Sequence, residues 1–600
     1  MANELLRRSQ VAVEDTWAVE DLYETEELFL EEAGRIETMV EGLKSFTEEY
    51  ITASGSHLLE YYKKQEEILI RLDRSISYSC RNMDVDTADD HYQSLNGKMM
   101  GIYHQYETVV APIDSWIVSM EEAEIQRFLD ETPELCKYKV TIDELRRMKP
   151  HTLSPEMEGL LASSQEMASA VEKSFSLLSD ADFENPTVRD ASGEMVKVSS
   201  GRFVPMLESQ DVRVRKETFE AYYARYEQYK NTFASLYDGK AKANFFYAKA
   251  RNYNSSMEAA VDANHVPKEV YYNLIEAVHE NMHYMHEYVS LRKKLMGVDE
   301  LHMYDVYVPI VGDDTEHITY GQAQEEIVNA LQVLGDDYVN VLKEGFANRW
   351  IDKYENEGKR SGAYSDDCYS VHPYVLMNYQ YNLDSEFTLA HEMGHALHSY
   401  FSSKRNNIFD SDYKIFVAEV ASTCNEALLM DYLRKHTTDK KKKAHLVNYF
   451  MQQFRSTLYR QTMFAEFELL THQMVEKGEA LTAEALKKLY YELNVQYYGE
   501  DVVVDPEIAI EWARIPHFYY NFYVYQYATS FAASMALSKK ILEEGKPAVD
   551  RYLNFLSSGC TKPPIELLKD AGVDMTTKEP ICEALKTFGA LIQEMEELLA

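Results

Sequence analysis

Residues 388–398 read TLAHEMGHALH, and they contain His391, Glu392 and His395 in the pattern HExxH. On an α-helix, residues four apart lie about 40° apart around the axis and about 6 Å apart along it, so both imidazoles can face one metal ion. Zinc in catalytic sites takes neutral nitrogen ligands and keeps one position open for water. Glu392 would lie beside such an ion, as a base for that water. The motif therefore predicts two metal ligands and a base.

The residues around the motif predict that it lies on a helix. Asp384 and Ser385 can cap a helix start just upstream. Residues 387–397 are good helix formers, apart from Gly394. The simpler alternative is an amphipathic helix whose histidines are ordinary surface or core residues. Because HExxH also arises by chance, the motif alone is a hypothesis.

Two histidines do not complete a zinc site, which takes three protein ligands when it is catalytic. The downstream candidates for the third ligand are His398, Asp410, Asp412, Glu419 and Glu426. His398 is seven residues after His391, which places it about 10 Å further along a continuous helix. Nitrogen–zinc bonds are about 2 Å long, so His398 cannot share an ion with His391 unless the helix breaks after His395. The two residues that follow His395 give no signal for a break.

Glu419 is the preferred third ligand. Residues 414–427 read KIFVAEVASTCNEA and have a helical pattern. Glu419 places an acid among apolar residues, where an unpaired carboxylate is costly and a metal ion removes that cost. Glu426 lies two turns further on the same face and could accept a hydrogen bond from a ligand imidazole. The alternative for Glu426 is a partly exposed glutamate without a role.

The composition favours a helical protein that does not bind nucleic acid. The 600 residues include only 15 prolines and 23 glycines, which favours long helices. The formal net charge of -39 is unfavourable for binding phosphate backbones. The six cysteines are scattered without a CxxC pair, as expected of reduced thiols. No apolar run suits a signal peptide or a membrane span, so we expect a cytoplasmic protein.

A change of pattern divides the chain into two parts. Amphipathic helices predominate from about residue 12 to about residue 175. Residues 188–198 then read VRDASGEMVKV, which predicts a β-hairpin around Ala-Ser-Gly. We therefore expect an N-terminal helical domain over residues 1–195 and a catalytic domain over residues 196–600.

A second irregular region directly precedes the motif helix. Residues 358–365 read GKRSGAYS and are rich in turn formers, and residues 374–379 have a β-prone composition. Together they predict a small sheet beside the motif helix. An extended peptide can pair with the edge of such a sheet, and Gly362 and Ala363, just before Tyr364, would allow a close approach of its backbone. The alternative is an ordinary connecting hairpin.

Several stretches of the sequence resemble one known family. TLAHEMGHALHSYFS at residues 388–402 and FVAEVASTCNEALL at residues 416–429 are similar to the oligoendopeptidase F group of the thimet-oligopeptidase family of zinc metallopeptidases. The further similar stretches are residues 15–17, 214–217, 301–309, 358–365 and 515–525. The resemblance covers nearly the whole chain.

The resemblance implies a mainly α, zincin-type helical peptidase. It implies His391, His395 and Glu419 as ligands of one Zn²⁺ per chain and Glu392 as the base. It also implies two halves separated by a deep central channel with the metal at its floor, and a small β-sheet near the metal helix. Such a channel would limit the substrates to unfolded oligopeptides.

Residues 517–527 contain a dense group of aromatic side chains. A tyrosine hydroxyl or an imidazole N–H can stabilise the oxyanion that forms during peptide hydrolysis. The spacing predicts Tyr520, Tyr523 and Tyr527 on one helix face, with His517 one turn earlier. The family uses a histidine and tyrosines in this region, which matches His517 most clearly; among the tyrosines we place Tyr523 first. The alternative is core packing, since the chain contains 45 tyrosines.

These observations predict a zinc-dependent endopeptidase that hydrolyses internal bonds of short unfolded oligopeptides, by Glu-assisted attack of zinc-bound water. Its expected partner is an oligopeptide substrate, with neither nucleic acid nor membrane, and the sequence leaves the oligomeric state open. One alternative is a dipeptidyl carboxypeptidase-type exopeptidase. A second is a catalytically inactive, zinc-containing peptide-binding protein, and a third is a helical scaffold with an accidental HExxH.

Overall fold

The computed structural model describes residues 5–49, 54–312 and 316–599. Within these ranges the chain is mainly α-helical with a few short strands, which confirms the predicted fold class. The α-helices in chain order are α1 Glu26–Glu49, α2 Gly55–Asp84, α3 Asp90–Ser119, α4 Glu122–Glu131, α5 Lys139–Arg147, α6 Pro155–Ser176, α7 Ser200–Leu207, α8 Val212–Gln228, α9 Lys230–Ala250, α10 Ser256–Ala263, α11 Lys268–Glu280, α12 Met282–Met296, α13 Tyr320–Leu331, α14 Asp336–Ala347, α15 Leu383–Arg405, α16 Ile408–Ser411, α17 Ile415–His436, α18 Lys440–Gln453, α19 Arg460–Glu476, α20 Ala483–Tyr498, α21 Tyr525–Glu544, α22 Lys546–Leu556, α23 Pro564–Asp570 and α24 Glu579–Leu599.

Short strands and turns of helix connect these elements. The strands are β1 Thr187–Arg189, β2 Met195–Lys197, β3 Leu301–His302, β4 Ile351–Asp352, β5 Tyr364–Asp366, β6 Tyr374–Leu376 and β7 Val502–Val503. The 3₁₀ segments are Arg8–Gln10, Val13–Asp15, Val19–Asp21, Pro133–Tyr138, Lys149–His151, Met303–Asp305, Gln332–Leu334, Pro506–Arg514 and Pro516–Tyr519, and the π-helical segments are Leu177–Asp182 and Phe454–Tyr459.

The chain forms two compact units, each made of three stretches. The first unit comprises Met1–Pro150, Thr315–Leu433 and Leu537–Val573, and the second comprises His151–Asp314, Arg434–Ala536 and Asp574–Ala600. These units do not follow the division at residue 195 that the change of sequence pattern suggests. The functional domains 1–195 and 196–600, and the channel between two halves, stay predictions.

The predicted hairpin in residues 188–198 is confirmed. β1 and β2 are antiparallel, with Val188 opposite Val196. Gly193 closes the turn with a φ of 94°, a conformation that glycine adopts without steric cost. Asp190 Oδ1 accepts hydrogen bonds from the backbone N–H groups of Ser192 and Glu194, at 2.8 and 2.9 Å. The side chain therefore fixes the turn from within.

The predicted small sheet near the motif helix is also confirmed. β6 is its central strand, parallel to β4 and antiparallel to β5. Tyr374 and Leu376 on β6 are fully buried and pack into the core that α1, α2 and α3 form. α15 packs against β5 and β6. The sheet thus links the N-terminal helices of the first unit to the motif helix.

The predicted motif helix is confirmed as α15, although its cap is a different residue. Asn382 has an extended backbone, with φ −129° and ψ 173°, and its side chain accepts a hydrogen bond from the N–H of Ser385 at 2.9 Å. Asp384 and Ser385 therefore lie inside the first turn and do not precede it. Asp384 is well placed there, because a negative charge in the first turn interacts favourably with the helix dipole.

Two further properties of the chain concern its helices as membrane spans and its cysteines. None of the helices in the described ranges combines the length and the apolar character that crossing a bilayer requires. Each of the six cysteines is a free thiol, and Cys368 and Cys424 are buried.

Candidate active site

His391, His395 and Glu419 converge on one point in the first unit. His391 Nε2 lies 3.2 Å from both His395 Nε2 and Glu419 Oε2. His395 Nε2 lies 3.4 Å from Glu419 Oε2. The two histidines are one turn apart on α15, and Glu419 is near the start of α17. Three donor atoms from two helices therefore form a nearly equilateral triangle.

The size of this triangle fits a tetrahedral zinc ion. Nitrogen and oxygen ligands about 2.0–2.2 Å from zinc, separated by tetrahedral angles, lie about 3.3 Å from one another. Two imidazoles and a carboxylate are also a donor set that catalytic zinc sites use. Within the described part of the chain, these three residues form the one such group whose donor atoms lie within 4.8 Å of one another. The residues present therefore fit the metal that the sequence predicts.

Neighbouring side chains orient two of the three donors. Glu426 Oε1 lies 2.5 Å from His391 Nδ1, so a proton on Nδ1 leaves the Nε2 lone pair facing the centre of the triangle. Ser422 Oγ donates a hydrogen bond to Glu419 Oε2 at 3.1 Å. The contact predicted between Glu426 and a ligand imidazole is thus present.

The electrostatics of the site favour a positive charge at its centre. Burial acts to lower the pKa of His391, but hydrogen bonds with Glu419 and Glu426 outweigh it and raise that pKa well above its usual value. Burial acts to raise the pKa of Glu419, but hydrogen bonds with His391 and His395 lower it strongly. A metal cation would supply this positive charge and leave both imidazoles neutral.

The other candidates for the third ligand lie outside the triangle. His398 is 1% exposed, and its ring stacks on Tyr413 with centroids 3.7 Å apart. Burial lowers the pKa of His398 to about 3, so the imidazole stays neutral. Asp410 accepts a hydrogen bond from Asn407 at 2.7 Å, and Asp412 accepts one from the N–H of Tyr413 at 2.8 Å.

Glu392 directly follows His391 on α15 and is 7% exposed. Burial raises the pKa of Glu392, while the charges of His391 and His395 oppose that shift. A carboxylate whose pKa is raised toward neutrality is a more effective proton acceptor and donor than an exposed one. Its position therefore suits the predicted base.

The predicted substrate-binding residues lie at an open edge of the small sheet. β5 pairs with β6, and no other strand of the described residues pairs with it. Gly362 precedes β5 with a φ of 83°, and a Cβ there would meet no atom within 4 Å. The hydroxyl of Tyr364 accepts a hydrogen bond from Arg81 and donates one to Asp84. The hydroxyl of Tyr364 is thus already engaged by two side chains of α2.

The prediction of one helix face across residues 517–527 is wrong. The segment Pro516–Tyr519 is a short 3₁₀ helix. The next helix, α21, begins only at Tyr525, eight positions after His517. Between them, Asn521 and Phe522 have φ values of 53° and 58°. This left-handed backbone ends the first helical segment. Tyr520 therefore lies in a bend, whereas Tyr527 lies on α21.

The four side chains predicted in this region nevertheless form one cluster, in the second unit. The ring of His517 lies 5.6, 6.3 and 5.9 Å from the rings of Tyr520, Tyr523 and Tyr527. Tyr527 Oη lies 3.5 Å from His517 Nε2. All four are half-buried or exposed, whereas the adjacent Phe518 is buried. These four side chains are therefore more accessible than the core residue Phe518.

Comparison with known proteins decides the family. The sequence matches the family described as Peptidase family M3 over residues 205–587, and the family described as Oligopeptidase F over residues 116–184. The chain belongs to peptidase family M3. It is therefore a peptidase, and the resemblance to oligoendopeptidase F that its motifs predict is confirmed.

Several proteins are similar to this M3 peptidase over essentially its whole length. Oligopeptidase PepF of Bacillus subtilis (strain 168) is 44% identical over 598 residues, which cover 100% of this chain and 89% of that protein. Group B oligopeptidase PepB of Streptococcus agalactiae is 37% identical over 593 residues, which cover 99% of this chain and 98% of that protein. The crystal structure of oligoendopeptidase-F from Enterococcus faecium is 34% identical, with a TM-score of 0.75 over 96% of this chain and 99% of that chain.

Gly394 and Asn425 hold α15 and α17 together, although the sequence alone assigns no role to either. A Cβ on Gly394 would lie 2.6 Å from Ser422 Cα and 2.8 Å from Ala421 O, so the helix backbones approach closely here. Asn425, fully buried, donates a hydrogen bond to Ala390 O at 3.1 Å and accepts one from Tyr338 at 2.9 Å. The glycine inside the motif helix was a visible signal of close packing. Asn425 gave no such signal.

We expect Gly394→Ala to lower stability by about 1–3 kcal/mol, the usual cost of overpacking a close contact. The added methyl would push α17 away from α15, so Glu419 would move and metal affinity would fall. Gly97→Ala on α3 is the matched control, since a Cβ there meets nothing within 4 Å. Thermal unfolding and zinc titration of both variants check this. Equal unfolding temperatures and equal zinc affinities of the two variants would contradict the close contact at Gly394.

A buried glutamate supports the bend that carries the tyrosine cluster. Glu468 on α19 is fully buried, and its Oε1 accepts a hydrogen bond from the N–H of Phe522 at 2.7 Å. Its Oε2 has no hydrogen-bond partner within the described residues. The ring of Phe522 packs on His472, with centroids 4.5 Å apart. These contacts hold Phe522 in its left-handed conformation.

The stability of the M3 peptidase is expected to depend on pH through Glu468. Burial raises its pKa to about 8, with smaller opposing effects of the Phe522 N–H and the Lys240 charge. The folded state therefore holds this proton where the unfolded state, with a pKa near 4.5, has lost it. The contribution of Glu468 to the free energy of unfolding is fully present below about pH 4.5 and is lost as the pH rises toward 8. Glu468→Gln should show a smaller fall in Tm from pH 5 to pH 8.5 than the unmodified protein; identical slopes would contradict the assignment.

Proposed function

We propose that this M3 peptidase is a zinc-dependent endopeptidase that hydrolyses internal bonds of short, unfolded oligopeptides. The triangle of His391, His395 and Glu419 supports the proposal most strongly, because its atoms have the spacing and chemistry of a three-ligand zinc site. The names of its relatives, which include an oligopeptidase and an oligoendopeptidase, support the substrate class. The free cysteines suit a cytoplasmic location, which is part of the same proposal.

In this proposal, one Zn²⁺ per chain is held by His391, His395 and Glu419. A zinc ion held there would supply Lewis-acid chemistry toward a carbonyl and would lower the pKa of a bound water. Glu426 fixes the tautomer of His391 through Nδ1, so that the lone pair of Nε2 faces the other two donor atoms and would be available to a metal. Ser422 donates a hydrogen bond to Glu419 Oε2, the same oxygen that faces the two imidazoles, and so helps to fix its position.

Glu392 is the proposed general base. It is buried beside the ligands and raised in pKa, so it can accept a proton from the attacking water and return it to the leaving amine. Glu392 is adjacent to His391 on α15, so it lies close to the ligands without being one of them. A purely structural metal site does not need this carboxylate, which favours catalysis over peptide binding alone.

His517 and one tyrosine are the proposed donors to the developing oxyanion. Burial lowers the pKa of His517, so its imidazole is neutral and can donate one N–H. Tyr523 remains the first choice among the tyrosines, followed by Tyr527 and Tyr520. The open edge of β5, with Gly362 and Ala363 before Tyr364, is the proposed support for the substrate backbone.

A quenched fluorescent peptide blocked at both ends tests the endopeptidase proposal. An endopeptidase cleaves it, because it needs neither free terminus. A dipeptidyl carboxypeptidase-type enzyme leaves the blocked peptide intact and cleaves the same peptide with a free carboxyl end. A peptide-binding protein without activity cleaves neither, so the two outcomes that contradict the proposal are distinguishable from each other.

A further inference from the structure

His398, the third histidine of the motif stretch, lies one turn beyond His395 on α15 and is buried. Its ring stacks on Tyr413, with centroids 3.7 Å apart and ring planes 5° from parallel, and it packs on Phe555 at 5.4 Å. Because burial lowers its pKa to about 3, the imidazole is neutral. The ring of His398 therefore meets its neighbours as a flat aromatic surface and not as a charge.

Tyr413 lies in the segment that leads from α16 into α17, and this segment is tied to α15. Besides the stack on His398, the hydroxyls of Tyr413 and Ser399 share a hydrogen bond of 3.0 Å. Just before it, Ser411 O accepts a hydrogen bond from Ser402 Oγ, which is also on α15. The C-terminal half of α15 therefore sets the path by which the chain enters α17.

Glu419 lies between two places at which the chain is held against α15. Downstream, Asn425 donates a hydrogen bond to Ala390 O at 3.1 Å. Upstream, Tyr413 makes its contacts two residues before α17 begins. The backbone N–H of Glu419 bonds to the carbonyl of Ile415, the first residue of α17. Helix ends fray, so the position of Glu419 depends on what holds this first turn.

The donor triangle allows little movement of Glu419. Its Oε2 lies 3.2 Å from His391 Nε2 and 3.4 Å from His395 Nε2. Zinc bonds to such donors are about 2.0–2.2 Å long, and a functional site must keep its geometry to within about 0.5 Å. A larger displacement of the first turn of α17 would therefore weaken one of the three bonds.

We propose that His398 is a positioning residue for the third metal ligand. By stacking on Tyr413, it fixes the start of α17 and thereby the place of Glu419 in the donor triangle. The inference rests on the proposed zinc site. It gives a role to a histidine that helix geometry excludes as a ligand of the same ion.

The zinc affinities of three variants, measured by competition with a chelator dye below the Tm of each, test this role. His398→Leu and Tyr413→Leu each remove the stack from one side and leave an apolar side chain in its place. We expect either change to weaken zinc binding by about 10–100-fold, as for other groups that orient a ligand. Tyr413→Phe keeps the ring and loses only the hydrogen bond to Ser399, so it should stay within about threefold of the unmodified protein.

A double variant and a control distinguish positioning from a general loss of stability. Because the two side chains act through one contact, His398→Leu combined with Tyr413→Leu should bind zinc about as weakly as either single variant. Tyr106→Leu is the control, since Tyr106 on α3 is also buried and its hydroxyl accepts a hydrogen bond from Gln65 at 2.7 Å. This variant should have a lower Tm and the original zinc affinity.

The outcomes separate the positioning role from the zinc site itself. Unchanged zinc affinity in His398→Leu, an equal loss in Tyr106→Leu, or fully additive losses in the double variant would overturn the positioning role alone. A loss in Tyr413→Phe as large as that in Tyr413→Leu would also overturn it, because the hydroxyl and not the stack would then place Glu419. Failure of the unmodified protein to bind zinc would overturn the proposed metal site, and the positioning role with it.

Discussion

Glu392→Gln is expected to lower kcat by about three to four orders of magnitude, the upper range for loss of a general acid–base group. Glutamine has nearly the same shape as glutamate but cannot accept the proton of the attacking water. Glu392 is not part of the donor triangle, so the variant should still bind one zinc ion per chain. Steady-state kinetics with an end-blocked peptide and elemental analysis of the same sample check both halves of the prediction.

The metal content of the Glu392→Gln variant is its internal control. Loss of activity together with loss of zinc would point to damage of the metal site and not to loss of a base. Full activity with zinc still bound would contradict the role of Glu392.

Glu419→Ala is expected to abolish metal binding at micromolar zinc and to abolish activity with it. The substitution removes one of three donors and leaves two imidazoles facing each other at 3.2 Å without the carboxylate. Changes to groups that only orient a ligand typically reduce metal affinity by about 10–100-fold, so removal of the ligand itself should have a larger effect. Zinc titration followed by a competing chelator dye measures the difference.

Two further variants give the expected order of effects. Glu426→Gln should weaken zinc binding by about 10–100-fold, because it disturbs only the hydrogen bond to His391 Nδ1. Asp412→Asn should leave zinc affinity unchanged, because Asp412 accepts a backbone hydrogen bond outside the triangle. If Asp412→Asn lost zinc and Glu419→Ala kept it, the assignment of the third ligand would be wrong.

The features that the sequence predicted well are local or have a simple period. The HExxH spacing brings the two histidines together only on a helix, and α15 is that helix. Residues 188–198 carry their own turn chemistry in Asp190 and Gly193, so the hairpin could be recognised from eleven residues. Glu419 stood out because an acid within an apolar helical segment needs a partner.

The features that the sequence did not predict depend on contacts between distant residues. The helical spacing of residues 517–527 was misleading, because Asn521 and Phe522 adopt a left-handed backbone that a hydrogen bond to Glu468 supports. That contact spans 54 residues of sequence, and the local pattern contains no sign of it. Asn425 is similar, since its role depends on Ala390 and on Tyr338 of another helix.

The most direct test of a zinc-dependent endopeptidase is a zinc titration of the chelated protein, monitored by cleavage of an end-blocked peptide. The protein is dialysed against a chelator, and zinc is then added in steps below and above one equivalent per chain. We predict no cleavage without metal, and a linear recovery that reaches its maximum at one equivalent. Full cleavage by metal-free protein, or no recovery at any amount of zinc, would contradict the account.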